Sequence, residues 1–378
     1  MKKIPVISIA LIITISLIVT AVAPSVSAAV SPKIYIDDKP VWLSPKPLLF
    51  TNTTFVPLIP FFEKLGGVAY LDSSNHIITV YYENYILKFD TKKGYVLEQK
   101  SGRRIKLTFP SYSGRTYVPL RAVSEFIDIM VQWIGSDKSI RLHPPIKNVT
   151  VLNYQKLMPN HELVKHSGEV DVISTEAFES HVKYLKEHGY SSLNLEQLKD
   201  FVNGKNYYNK SVLLTFDGGY PSSFSYAYPI LKKYGLKGVI FVETSAIGRP
   251  GYLTWEQLKT MADSGVFEIG SITHNMYRAN GASYKILSTR PAEIIKDLEV
   301  SKVLIKALVE RDAYAFAYPQ GIYNDAIKTY VQEAGFKMAF TTKNGSIKQG
   351  DDLMALKRNN IYRWMDLEYF KNLLQKHD

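Results

Sequence analysis

From Val149 onward, apolar runs that stop abruptly alternate with segments of helical period, and this alternation restricts the fold more than any other feature of the chain. Val149-Thr-Val-Leu152, Ser211-Val-Leu-Leu-Thr-Phe216 and Val239-Ile-Phe-Val242 read as buried strands. Thr175–Lys186 with Ser174 as N-cap, Leu193–Phe201, and Pro229–Gly235 closed by its glycine read as helices. Strand–helix alternation over about 230 residues predicts an α/β unit with a parallel sheet or a barrel. Chemistry in such folds sits at the C-terminal ends of strands, so Asp217, which ends the Ser211–Phe216 run, is the first candidate.

Residues 33–143 follow a different grammar. Short β-branched and aromatic runs (Lys33–Asp37, Ile77–Tyr82, Tyr85–Phe89, Ser139–Leu142) lie between turn residues. Thr54-Phe-Val-Pro-Leu58 recurs as Thr116-Tyr-Val-Pro-Leu120, an offset of 62. Each copy continues into a short amphipathic helix pattern (Phe61–Leu65, Ala122–Phe126), an aromatic (Tyr70, Trp133), a polar turn and a strand, which predicts a duplicated helix-plus-hairpin unit. The two prolines of residues 144–148 stiffen a linker to the second region, 149–378.

Two domains suit 378 residues, and 46% hydrophobic content excludes a wholly disordered chain. With no cysteine there are no disulfides, thiolate zinc sites or cysteine nucleophiles, so a metal site must come from Asp, Glu and eight His. Met1-Lys-Lys, an uncharged apolar stretch from Ile4 to Ala23 and the small residues Val26-Ser-Ala28 predict a secretory signal over residues 1–28 and an exported, envelope-associated chain. An uncleaved signal serving as anchor is the alternative. The formal charge of +11 suits an anionic wall polymer, while export and the lack of a dense Lys/Arg run argue against nucleic acid.

The doubled pattern of residues 33–143, clearest at Thr116-Tyr-Val-Pro-Leu-Arg121, resembles the copper amine oxidase N-terminal domain, with Ile59 departing where the second copy has Arg121. The resemblance implies a stalk or wall-associated adaptor and no copper; His76 and His143 read as structural or surface residues.

Residues 149–378 resemble the polysaccharide deacetylase domain, also called NodB-homology or carbohydrate esterase family 4. Four ordered blocks carry the resemblance: Ser211–Tyr220 with Thr215-Phe-Asp-Gly-Gly219, Gly265–His274, Ala315–Asn324 and Ala334–Thr342. It implies a distorted (β/α) barrel and metal-assisted deacetylation of N-acetylglucosamine units in peptidoglycan or a related polymer. In the family, one Asp and two His hold zinc or another divalent cation, which activates a water. The resemblance assigns the general base to Asp217, but the metal-ligand Asp falls on Gly218, the first His on Ile272, and the second on Met276 or Tyr277, depending on register. All three ligands are thus replaced, and no cofactor is expected unless the activity survives. His274 lies between the lost positions and either takes over as ligand or base alongside Asp217 or is a surface or hydrogen-bonded loop residue; a lone His with a lone Asp makes a poor zinc site. The Tyr318-Pro319-Gln320-Gly321 turn keeps the Gln320 N–H as a candidate oxyanion donor. Leu356-Lys-Arg358 retains a cation where the family has a His or an Arg. Tyr220, Tyr318, Pro319, Tyr323 and Trp364 are the candidate sugar-binding residues, since aromatic faces stack on pyranose rings. The reading is a cell-envelope pseudoenzyme that binds N-acetylated glycan, against an active deacetylase with an atypical site or a structural wall protein.

Overall fold

The computed structural model describes residues 31–166, 168–277, 279–280 and 283–375, so the expected signal at residues 1–28 lies outside the described residues. The chain divides into two compact units, one ending at Leu142 and the other starting at His143. Among the described residues no helix is long and apolar enough to cross a membrane.

In the first unit the two sequence copies meet directly. Strand Thr53–Pro57 pairs antiparallel with Arg115–Pro119, placing Val56 opposite Val118, and those residues are equivalent positions of the repeat. The copies are therefore related by a local twofold passing between the two valines. Each strand runs through its proline, which caps the helix that follows: Leu58–Lys64 in one copy and Leu120–Phe126 in the other. A five-stranded antiparallel meander, Val68 to Lys106, opens with the hairpin of the first copy (Val68–Asp72 and Ile77–Tyr82) and continues toward the second. Its buried face packs Ile78, Val80, Leu87 and Phe89 against the helix residues Phe61 and Phe62.

The second unit is a distorted (β/α) barrel built on a nine-stranded sheet. Five parallel pairings link Asn148–Tyr154, Ser211–Asp217, Gly238–Glu243, Phe267–Thr273, Ala315–Ala317 and Met338–Phe340 in that order. The seam is residues 356–360. Leu356 bonds the 338–340 edge (Leu356 N–H to the Ala339 carbonyl, 2.9 Å), and Asn359 and Asn360 pair with Leu152 and Asn153 at the other edge. Strand periodicity sorts the side chains: Leu214 and Phe216 join the outer core under the helices, whereas Leu213 joins an inner core with Val149, Phe241, Ile272 and Phe340. Thr215 and Asp217 share the parity of Leu213 and so turn inward.

The helices carry their own start and stop signals. Ser174 Oγ accepts from Ala177 N–H (3.0 Å), Asn194 and Gln197 form a capping box, and Gly235 ends its helix at φ +67°.

One buried group makes stability depend on pH. His181, on helix Thr175–Glu187, is 1% exposed and stacks on Phe370 at 4.0 Å, and its Nε2 has no partner among the described residues. Burial holds its pKa down from 6.5 to about 4. The unfolded chain thus takes a proton below pH 6.5 that the folded chain refuses until about pH 4. Stability contributed by the neutral imidazole is complete above pH 6.5 and falls through that window by about 3 kcal/mol. Urea unfolding of His181→Leu at pH 7 and pH 4 is expected to show a correspondingly smaller acid loss than the parent chain.

Candidate functional site

The inward face of strand Ser211–Asp217 ends on a carboxylate that meets a guanidinium from the seam. Arg358 Nη1 and Nη2 each lie 2.8 Å from one oxygen of Asp217, a bidentate pair with Arg358 wholly buried and Asp217 at 7% exposure. The rest of the guanidinium is also bonded, Nε to the Thr341 carbonyl (2.9 Å) and Nη1 to Asn153 Oδ1 (3.0 Å). Asn153 Nδ2 in turn donates to Asp217 Oδ2 at 3.2 Å and to Asn360 Oδ1 at 2.9 Å. Thr215 Oγ1 donates to Asn153 Oδ1 (3.0 Å), and the rings of Phe241 and Phe340 flank the cation at 5.5 and 5.9 Å. This network gives a buried charge pair the full set of partners it needs. The sequence singled out Asp217, while Arg358 was visible only as a retained cation and Asn153 not at all.

Gly218, at the metal-ligand Asp position, has φ +102°, and a Cβ there would lie 2.5 Å from Cε2 of Tyr220. The side-chain position is closed as well as vacated: the Tyr220 ring covers it, itself stacked on Tyr252 (5.7 Å) with Lys156 Nζ 4.9 Å from its centroid. Gly219 is equally constrained, at φ +72° with Ile247 2.8 Å from a built Cβ.

The structure separates the two registers for the second histidine position. Met276 is buried in the outer core, whereas Tyr277 packs against the inner core that holds Ile272. Tyr277, and not Met276, therefore shares the barrel interior with Asp217. Burial, reinforced by repulsion from Asp217, pushes the Tyr277 phenol well above the ordinary tyrosine range, so it keeps its proton and is no anionic ligand. Its main-chain N–H donates to Glu243 Oε1 at 3.3 Å.

His274 points its chemistry elsewhere. Its Nδ1 lies 3.0 Å from Thr244 Oγ1, and its main-chain N–H, like that of Asn275, binds the Asp297 carboxylate at 2.8 Å. These bonds anchor the loop after strand Phe267–Thr273 and give it no bond to Asp217. Zinc sites of this chemistry need three side-chain donors. The positions hold a glycine, an isoleucine and a neutral phenol, and no three His, Asp or Glu converge among the described residues. The residues do not fit a catalytic cation.

The remaining candidates divide. Gln320 is exposed in the left-handed conformation (φ 55°, ψ 17°), and the turn's bonds come from the N–H groups of Gly321 and Ile322, not from its own. Tyr318 and Pro319 are corrections. Tyr318 is 1% exposed with its hydroxyl donated to the Met354 carbonyl (3.0 Å), and Pro319 is buried beside it, so neither presents a face to a sugar. Tyr323 stacks on Tyr318 at 4.7 Å and accepts from Lys343 Nζ at 3.2 Å, keeping a half-buried face. Trp364 is 60% exposed and stacks on Tyr362.

Comparison with known proteins agrees with this architecture. Residues 204–339 match the model of the polysaccharide deacetylase domain, and residues 35–142 match that of the copper amine oxidase N-terminal domain. YxkH of Bacillus subtilis (strain 168), named as a polysaccharide deacetylase, is 30% identical over 230 residues, 61% of this chain and 74% of that one. The poly-beta-1,6-N-acetyl-D-glucosamine N-deacetylase of Staphylococcus aureus (strain MRSA252) is 28% identical over 46% of this chain, which spans 62% of that protein's length. Among solved structures, the Streptococcus pyogenes deacetylase PplD, in complex with acetate, superposes with a TM-score of 0.54 at 25% identity, covering 61% of this chain and 99% of that one. IcaB from Ammonifex degensii shares the fold at a TM-score of 0.54 and 23% identity, over 62% and 98%. The chain belongs to the polysaccharide deacetylase family.

Proposed function

We propose that this family member is exported to the cell envelope, engages an N-acetylglucosamine polymer at the mouth of its barrel, and no longer deacetylates it. One observation carries the loss of activity: the side-chain position of the metal-ligand Asp is a glycine at φ +102° covered by the Tyr220 ring. A carboxylate there would collide with that ring, so the position is repacked around its absence. Without a cation there is no Lewis acid for the acetamide carbonyl and no low-pKa water. Asp217 remains, with both its oxygens bonded to Arg358. The glycan follows from what the relatives named above act on, and the exposed indole of Trp364 and the half-buried rings of Tyr220 and Tyr323 offer it stacking surfaces.

The purified full chain, incubated with N-acetylglucosamine oligosaccharides with and without added zinc, is expected to release no acetate and to be retained on poly-N-acetylglucosamine or peptidoglycan. Trp364→Ala is expected to weaken that retention about tenfold. Zinc-dependent acetate release at stoichiometric metal would identify an active deacetylase instead. Absence of retention on both polymers would leave the structural reading.

A further inference from the structure

The N-terminal unit has a cleft of its own, of about 670 Å³, between the start of helix Leu120–Phe126, the Asn52–Thr54 segment and the side chain of Trp133. That volume is typical of small-molecule sites, which span roughly 300–1,000 Å³. The internal twofold supplies a control within the molecule, because each residue of the cleft has a counterpart 62 positions away. Arg121 replaces Ile59, and the equivalent strands Val68–Asp72 and Met130–Ile134 align at the same offset, so Trp133 stands where the first copy has Leu71, one residue beyond the Tyr70 with which the aromatic pattern matched it. The helices and paired strands of the two copies match, so these residues are dispensable for the fold of a copy.

Arg121 is held in a fixed orientation. Its Nη1 donates to Glu125 Oε1 at 3.0 Å and to the Val131 carbonyl at 3.0 Å, while its Nε and Nη2 make no bonds among the described residues. Both side chains of this pair are more than half exposed, so the ion pair itself adds only a few tenths of a kcal/mol to the fold. Trp133, also in the lining, is 52% exposed, leaving apolar surface in water with no gain in packing. Asn52, Thr53 and Thr54 contribute an amide and two hydroxyls. The lining thus combines one large aromatic face, a cation and anion that cancel, and groups that both donate and accept.

That combination does not suit a polyanion, for which the charge would have to be net positive. It suits a pyranose, whose C–H face is apolar and whose hydroxyls donate and accept at the rim. We propose that this cleft is a separate glycan site, taking one or two pyranose units of a neutral polysaccharide, stacked on Trp133 and hydrogen-bonded by Arg121, Glu125 and the Asn52–Thr54 segment. The site lies wholly within the first unit and is distinct from the barrel site.

Titrating the full chain with N-acetylglucosamine tetrasaccharide and with cellotetraose, read by calorimetry and tryptophan fluorescence, tests the site. Trp133→Ala and Arg121→Ile are each expected to weaken binding of at least one of these sugars about tenfold, with the melting temperature unchanged. The second substitution installs the residue that the first copy carries at position 59, so a folding defect is not its consequence. Trp364→Ala is expected to leave this binding event intact, which keeps failure of the barrel site and failure of the cleft distinguishable. Unchanged affinity in both cleft variants, a loss seen only in Trp364→Ala, or no binding of either sugar by the full chain overturns the proposal.

Discussion

Replacing Arg358 with methionine is expected to lower the melting transition of the barrel unit by roughly 6–20 °C, as will replacing Asp217 with leucine, while the double replacement Arg358→Met with Asp217→Leu restores most of the loss. The expectation follows from what each single change leaves behind. Without Arg358, the Asp217 carboxylate is left at 7% exposure with, among the described residues, the 3.2 Å bond from Asn153 alone, and without Asp217 a wholly buried guanidinium loses the counter-charge it is paired with. Removing one partner of a buried pair costs about 3–5 kcal/mol, because the survivor is neither hydrated nor neutralised. In a unit of this size each kcal/mol is about 2–4 °C. Replacing both by apolar residues of similar bulk removes the uncompensated charge along with the pair, which is why the double variant recovers. The seam amplifies the effect. Arg358 sits between Leu356, bonded to one sheet edge, and Asn359–Asn360, paired to the other, so its loss loosens barrel closure. Calorimetry of the four proteins gives the coupling directly. If Asp217 variants melt with the parent chain, the carboxylate is no structural partner and is free for other work.

The strands and the family blocks were legible because they depend on local pattern. Asp217 stands out as the residue that ends the apolar run Ser211–Phe216, and the loss of side-chain ligands at Gly218 and Ile272 is plain from residue identity. What was not legible depends on partners far along the chain. Arg358 reaches Asp217 across 141 residues, and no local signal pairs them. The choice between Met276 and Tyr277 depends on how the chain turns after Thr273, whose Oγ1 accepts from the Met276 N–H at 2.9 Å and helps set which residue re-enters the barrel. Tyr318 read as a sugar platform because an aromatic in a groove block looks alike whether it faces solvent or core. Its hydroxyl's partner, the Met354 carbonyl, lies 36 residues away. Tyr220 covers Gly218 because Tyr252 and Lys156 hold the ring in place, a packing arrangement that residue types alone do not announce.

That cover decides how a metal site can be restored. The parent chain is expected to carry no more zinc than a buffer control by elemental analysis. Adding the three ligands as Gly218→Asp, Ile272→His and Tyr277→His is expected to fail or bind weakly, because the new Cβ at 218 lies 2.5 Å from the Tyr220 ring and its φ of +102° strains any residue but glycine by about 1–3 kcal/mol. Adding Tyr220→Ala opens the position, and zinc affinity is expected to rise roughly 100-fold over the three-ligand variant, to about one ion per chain. Moving the second histidine to Met276→His in the same background is expected to forfeit that gain, since position 276 faces the outer core under the helices and an imidazole there cannot reach the barrel interior. The contrast between the last two variants tests the register, and the contrast with and without Tyr220→Ala tests the closed position. Equal zinc binding across all of them, or stoichiometric zinc in the parent, would mean that the cation is held by residues other than these three. Recovery of acetate release in the four-substitution variant would show further that the rest of the site, Asp217 included, retains what deacetylation needs.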